Sequence, residues 1–279
     1  MKNIAVIPNY IKKETIVFAD ELKDILLKKG HSVSIIGEKD EISSNTGLAI
    51  VLGGDGTMLR ACKRLYGIDC DVFGVNFGHI GYLTQCNPEN AIQSISKILD
   101  GEYITENRLM IEGALIRDGK EIGKFVALNE ASLYRASLMK ALGAKVFVNG
   151  EYTQTVYGDG IIVSTPTGST SYNLSCGGPV IAPTSNNIVL TQISPKFFPR
   201  SSIVVAGDDE ITIQVEIDSL SGKEKVSLEV DADAHFEVFS NDIIKIKKAP
   251  LCAKIIKVGD KSFYQIFSEK LAKINYEKR

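Results

Sequence analysis

The run Leu48-Ala49-Ile50-Val51-Leu52-Gly53-Gly54-Asp55-Gly56-Thr57 decides how the first part of this chain is read. Five consecutive apolar residues, with no alternation, suit a strand buried on both faces. Two glycines, an acid, a third glycine and a threonine follow, and residues 58–65 then read as a helix. A strand that turns through glycines into a helix start offers free backbone amides to a phosphate. Glycine lets that backbone come close to the phosphate oxygens. An acid in such a turn repels phosphate and needs a chemical reason. Asp55 can hold a metal ion, or take a proton from an attacking hydroxyl, and either use points to phosphoryl transfer. The plainer alternative is a turn acid that caps a helix starting at Thr57.

Working outward, apolar strands are expected at 4–8, 32–36 and 71–76. They alternate with helices at 15–29, closed by Gly30, and at 88–99, with Pro88 in the first turn and Asn87 as a possible cap. That alternation predicts a parallel, Rossmann-like α/β domain over residues 1–100. Beyond Gly101 the pattern becomes short segments rich in Val, Ile, Phe and Leu. They fall at 109–116, 124–134, 145–148, 160–164, 188–193, 202–205, 210–217, 226–230, 236–239 and 243–247. These predict an all-β domain over 101–250. The remaining 251–279 form a C-terminal segment with an aromatic-rich stretch at 263–267. Its basic end from Lys270 reads as a solvated helix terminus.

The 279 residues are 44% hydrophobic and 24% charged, with a net charge of −2. That is ordinary for a soluble globular chain and unlike a nucleic-acid binder. No apolar run is long enough to span a bilayer, and the start of the chain lacks a secretory apolar core. Cys62, Cys70, Cys86, Cys176 and Cys252 are odd in number and form no Cys-x-x-Cys pair, which suits reduced thiols in a cytoplasmic protein. His31, His79 and His235 are isolated, so no metal-ligating set is expected. Asp231, Asp233 and His235 alternate and would share one face of a strand, for which a solvated face is the plainer reading.

A second glycine-rich region starts at Gly158-Asp159-Gly160. It runs through Thr165-Pro166-Thr167-Gly168-Ser169-Thr170-Ser171-Tyr172-Asn173 to Gly177-Gly178-Pro179. Its hydroxyls and amides, at the start of a short helix, suit sugar hydroxyls, phosphates or a purine edge. Tyr172 could stack on a base. Asn129-Glu130 ends an apolar strand, and a neighbouring amide and carboxylate can accept hydrogen bonds from two ribose hydroxyls. Gly78-His79-Ile80-Gly81-Tyr82 follows the strand at 71–76, and should lie at the same edge as the first glycine turn.

Together, the turn at 53–57, the pair Asn129-Glu130 and the run 158–172 resemble the NAD kinases. The glycine turn alone is also similar to that of lipid kinases. The resemblance implies an α/β domain, a β-sandwich domain and a C-terminal segment that returns to the first. It implies transfer of the γ-phosphoryl of ATP to the 2′-hydroxyl of the adenosine ribose of NAD, with Mg²⁺ or another divalent cation. Homodimers or homotetramers are usual in such enzymes. Asp55 would be the general base, and Gly53, Gly54, Gly56, Thr57 and Arg60 would lie at the phosphates. Asn129 and Glu130 would bind ribose, and Asp159 a ring amide or amine. Thr170, Ser171, Tyr172, Asn173, Leu174 and Ser175 would line the adenine and ribose pocket, with Tyr82 and Thr167 as walls. Lys140, Tyr157 and Asp231 complete the implied binding set. The chain departs from many relatives in having Tyr157 where an arginine is common, Pro195-Lys196-Phe197 for Pro-His-Ser, and Asp231-Ala232-Asp233 for Asp-Gly-Gln or Asp-Ser-Gln. Two other readings stay open at this point: a lipid kinase sharing the glycine turn, and a dinucleotide-binding regulator without turnover.

Overall fold

The computed structural model describes residues 2–78, 81–135, 142–197, 201–216, 226–259 and 261–276. The chain divides into two compact units, residues 1–107 with 253–279, and residues 108–252. The first carries β1 (Asn3–Pro8), α1 (Lys13–Lys28), β2 (Ser32–Ile35), β3 (Leu48–Gly53), α2 (Asp55–Arg64), β4 (Asp71–Asn76), α3 (Pro88–Leu99) and β5 (Ile104–Arg108). The second carries β6 (Ile111–Arg117), β7 (Lys120–Ala127), β8 (Glu130–Arg135), β9 (Leu142–Val148), β10 (Glu151–Gly158), β11 (Gly160–Ser164), α4 (Tyr172–Ser175) and β12 (Asn187–Ile193). It continues with β13 (Ile203–Ala206), β14 (Ile211–Glu216), β15 (Val226–Val230), β16 (Ala234–Val238) and β17 (Ile243–Lys248). The chain then returns to the first unit with β18 (Ala253–Lys257) and α5 (Phe263–Tyr276).

In the first unit one sheet runs in the order β2-β1-β3-β4-β18-β5. The registers joining β2, β1, β3, β4 and β18 are all parallel. β3 is buried at every position, as its unbroken apolar run requires. The helices supply the cover: Ala19, Leu22 and Leu26 of α1 and Ala91, Ile95 and Ile98 of α3 pack with Ile50, Leu52, Phe73, Val75 and Ile256. Their spacings of three and four place each set on one helix face. The glycine expected to close α1 does so, with Gly30 at φ +81°.

The second unit holds two antiparallel sheets, β10-β9-β14-β17-β6-β7 and β13-β12-β11-β8-β15-β16. Their inner residues form one core, with Ile111, Leu115, Val146, Ile161, Val163, Leu190, Ile213, Leu228 and Ile244 among its members. Two layers of sheet around one apolar core make a sandwich. The fold is thus the α/β domain and all-β domain expected from the sequence.

Local differences have physical causes. The segment 124–134, read as one strand, is two: β7 belongs to one sheet and β8 to the other. The break falls where Asp231 draws the amides of Leu128, Asn129 and Glu130 onto its carboxylate. β5 and β10 are edge strands whose side chains are largely solvated, so they carry no apolar alternation to read. α2 starts at Asp55, two residues earlier than the helix expected at Thr57. Among the described residues no helix is long and apolar enough to cross a membrane.

Candidate active site

In the first unit, β3 ends at Gly53 and α2 begins at Asp55, with extended Gly54 as its N-cap and no side-chain cap hydrogen bond. The first amides of α2 are therefore left without helical partners. The glycines do different jobs. A Cβ on Gly53 would lie 2.3 Å from the Thr57 hydroxyl, so this glycine lets buried Thr57 close on the turn. Added methyls on Gly54 and Gly56 would meet nothing within 4 Å among the described residues, so the backbone there is open on that side. Arg60 is exposed on the next turn of α2.

Asp55 does not cap its own helix. Its carboxylate accepts the amides of Tyr82 at 2.7 Å, Leu83 at 3.0 Å and Thr84 at 3.4 Å. A Cβ on Gly81 would sit 1.9 Å from Asp55 Oδ1, so glycine is needed for this approach. The acid thus fixes the loop that carries half-buried Tyr82. The ring of Tyr82 lies 6.1 Å from that of Phe263 on α5. Lys270 on the same helix stands 3.6 Å from the Tyr82 ring centroid and 3.9 Å from Asp55 Oδ2. Lys270 is therefore not solvated, which corrects the expectation at that residue, while Leu271 and Ala272 are exposed as expected of a solvated helix end. The signal was present in the spacing: Phe263, Phe267 and Lys270 fall at i, i+4 and i+7, one helix face. His79 and Ile80 lie outside the described residues.

In the second unit, the β7–β8 crossover and the loop after β11 are locked together. Asp231, at φ +52° in the turn between β15 and β16, accepts the amides of Leu128 (2.8 Å), Asn129 (2.9 Å) and Glu130 (3.1 Å). Its carboxylate is thereby occupied with backbone. It lies outside β16, so Asp231, Asp233 and His235 do not form one strand face. Among the described residues no cluster of three or more His, Cys, Asp or Glu side chains is placed to hold a metal.

Much of the hydroxyl wealth of the loop is consumed in shaping it. Thr165 Oγ1 donates to the Leu128 carbonyl and accepts the Gly168 amide at 3.1 Å. Ser169 Oγ donates to the Pro166 carbonyl at 2.7 Å and accepts the Ile181 amide at 3.0 Å. A Cβ on Gly168 would fall 2.2 Å from the Asn129 carbonyl oxygen. Fully buried Asn173 donates to the carbonyls of Ser169 and Pro179 and accepts from Thr191, so its side chain serves the interior. Thr167 is buried beside Arg108, and Thr170 is half-buried. Tyr172 and Ser175 are exposed, with Leu174 between them half-buried.

Ser171 Oγ donates to Glu130 Oε1 at 3.1 Å, whereas buried Glu130 Oε2 has no partner among the described residues. Burial, then the nearby Asp231, push the Glu130 carboxyl up to about 7, against hydrogen bonds from Ser171 and the Tyr172 amide. Half-buried Asn129 stands beside it. Asp159 pairs with Arg135, which donates Nε to Oδ1 at 2.7 Å; nothing in the sequence pattern singles out that arginine. Exposed Tyr157 packs edge-on against Phe197. Lys140 lies outside the described residues.

Known proteins match this chain along nearly all of it. The family model described as the ATP-NAD kinase N-terminal domain covers residues 37–103, and that of the ATP-NAD kinase C-terminal domain residues 128–258. The chain is 34% identical to the NAD kinase of Lachnoclostridium phytofermentans, over 97% of this chain and 99% of that one. It is 38% identical to the NAD kinase of Carboxydothermus hydrogenoformans, over 90% and 91%.

The chain belongs to the NAD kinase family.

Two solved NAD kinase-type structures share its fold. One is yeast NADH kinase complexed with NADH, with a TM-score of 0.78 at 19% identity, covering 93% of this chain and 84% of that one. The other is an NAD kinase from Archaeoglobus fulgidus in complex with ATP, with a TM-score of 0.76 at 24% identity, covering 95% and 97%. Membership of the NAD kinase family sets aside the lipid kinase and the non-catalytic regulator.

Proposed function

We propose that this chain transfers the γ-phosphoryl group of ATP to the 2′-hydroxyl of the adenosine ribose of NAD, giving NADP. Membership of the NAD kinase family supports the activity. The observation that carries the chemistry is Asp55 at the start of α2, its carboxylate held by the amides of Tyr82, Leu83 and Thr84, next to glycine backbone that is open among the described residues. In the step, the 2′-oxygen attacks the γ-phosphorus and the bond to the bridging β–γ oxygen breaks, so ADP leaves. Asp55 accepts the hydroxyl proton and passes it to solvent. The amides of the first turn of α2, with Gly54 and Gly56, hold phosphate oxygens, and exposed Arg60 on the next turn adds a cation.

Asn129 and Glu130 take ribose hydroxyls. The unpartnered Glu130 Oε2 is suited to accept one, and a bound sugar would satisfy a buried oxygen that is otherwise costly. Thr167, Thr170, Ser171, Tyr172, Leu174 and Ser175 border that pocket. Asp231, Asn173 and the Asp159–Arg135 pair act on its shape. The Asp55 carboxylate is already engaged with amides, and a cation such as Mg²⁺ commonly binds through substrate phosphates with few protein ligands. Mg²⁺ therefore fits as a partner of ATP, and it supplies charge neutralisation on the triphosphate. The family resemblance also leads us to assign a cytoplasmic homodimer or homotetramer, and sedimentation of the purified chain would read its subunit number directly.

Incubation of the protein with ATP, Mg²⁺ and NAD tests the activity. NADP is the expected product, detected by an NADP-specific dehydrogenase. Hydrolysis of ATP with no NADP formed would overturn the proposal.

A further inference from the structure

A carboxylate that receives a proton during phosphoryl transfer also faces the phosphate it helps to install. Like charges at that distance oppose the product. The first unit supplies a cation for this problem. Lys270 Nζ lies 3.9 Å from Asp55 Oδ2 and 3.6 Å from the Tyr82 ring centroid, on a side chain only 24% exposed. Burying an ammonium is costly unless partners compensate, and here a carboxylate and an aromatic face do so. Burial pulls the Lys270 ammonium below the usual lysine range, and Asp55 opposes that shift.

The placement of Lys270 is built, not incidental. Phe267 stacks on Phe263 at 6.1 Å, and Phe263 meets Tyr82 at 6.1 Å. This aromatic ladder holds one face of α5 toward the loop that Asp55 fixes, and Lys270 follows on that face. At 3.9 Å the ammonium and carboxylate form a loose ion pair and not a hydrogen bond, so the N–H donors of Lys270 can turn to another acceptor.

We propose that Lys270 is a further binding residue of the Asp55 site, a cation that offsets the carboxylate and takes an oxygen of the phosphoryl group as it arrives on the 2′-oxygen. The inference rests on the kinase reading above. NADP carries the 2′-phosphate and NAD does not, so the two dinucleotides distinguish this role from a purely structural one.

The test is calorimetric titration of the full-length protein with NADP and with NAD, for the natural chain, Lys270→Met and Lys270→Arg. Removal of one charge-assisted hydrogen bond should weaken NADP binding in Lys270→Met by about tenfold, with NAD held within about twofold. Lys270→Arg, which keeps the charge, should recover most of the NADP affinity. Equal weakening of both dinucleotides, no change in either, or an arginine variant as poor as the methionine one would overturn it. If circular dichroism shows Lys270→Met unfolded, Lys270→Gln gives the same ratio. A natural chain that makes no NADP defeats the kinase reading. One that makes NADP, yet shows no selective loss in the lysine variants, defeats only the role of Lys270.

Discussion

Two carboxylates in this chain each collect three consecutive backbone amides: Asp55 those of residues 82–84, and Asp231 those of residues 128–130. A third, Glu130, has the opposite surroundings. It is buried, one of its oxygens has no partner among the described residues, and its carboxyl is pushed up to about 7 by burial and by Asp231. A carboxyl harder to ionise folded than unfolded favours the fold at low pH. That contribution is complete below the ordinary carboxylate range and is lost as pH rises through about 7. For a shift of this size the loss is on the order of 3 kcal/mol. Glu130→Gln should therefore flatten the fall in stability between about pH 4.5 and about pH 7, as read by urea unfolding at each pH. Parallel pH profiles for the variant and the natural chain would count against this account of Glu130.

At the scale of elements, the β7–β8 crossover is where sequence and structure part. The apolar run at 124–134 reads as one strand because its residues suit a sheet. What splits it is a single acid about a hundred residues away in the chain, and no local pattern announces that partner. Asp231→Ala would strand three amides, two of them on buried residues. The cost should be about 3 kcal/mol by urea unfolding, the scale of unsatisfied buried donors. A loss under about 1 kcal/mol would show that the crossover holds itself without Asp231. The strongly apolar elements β3, β4, β11 and β12 were legible, since burial on both faces leaves a hydrophobic trace, and β15 was legible by its alternation of Val226, Leu228 and Val230 with polar residues. The edge strands β5 and β10 were not, because water takes the place of a second layer. The hydroxyl-rich loop was visible as a special segment. That Thr165, Ser169 and Asn173 would spend their polar groups on the loop itself depends on neighbours the local sequence does not name.

For the whole molecule, the first unit is assembled from both ends of the chain. β18 stands between β4 and β5 in its sheet, so residues 253–257 are interior to the sheet of the α/β unit. The same return places Lys270 beside Asp55. With a net charge of −2, the molecule has no global field to gather ATP and a dinucleotide. In the proposed function, local amides, a few cations and metal-bound ATP do that work. The proposed chemistry converges on Asp55. The most direct measurement compares NADP formation by the natural chain and by Asp55→Asn at saturating ATP, Mg²⁺ and NAD, with NAD affinity determined separately by calorimetry. Turnover at least ~100-fold lower, in a folded variant that still binds NAD, is the expected result for loss of the general base. A folded Asp55→Asn that makes NADP at a near-natural rate would contradict it.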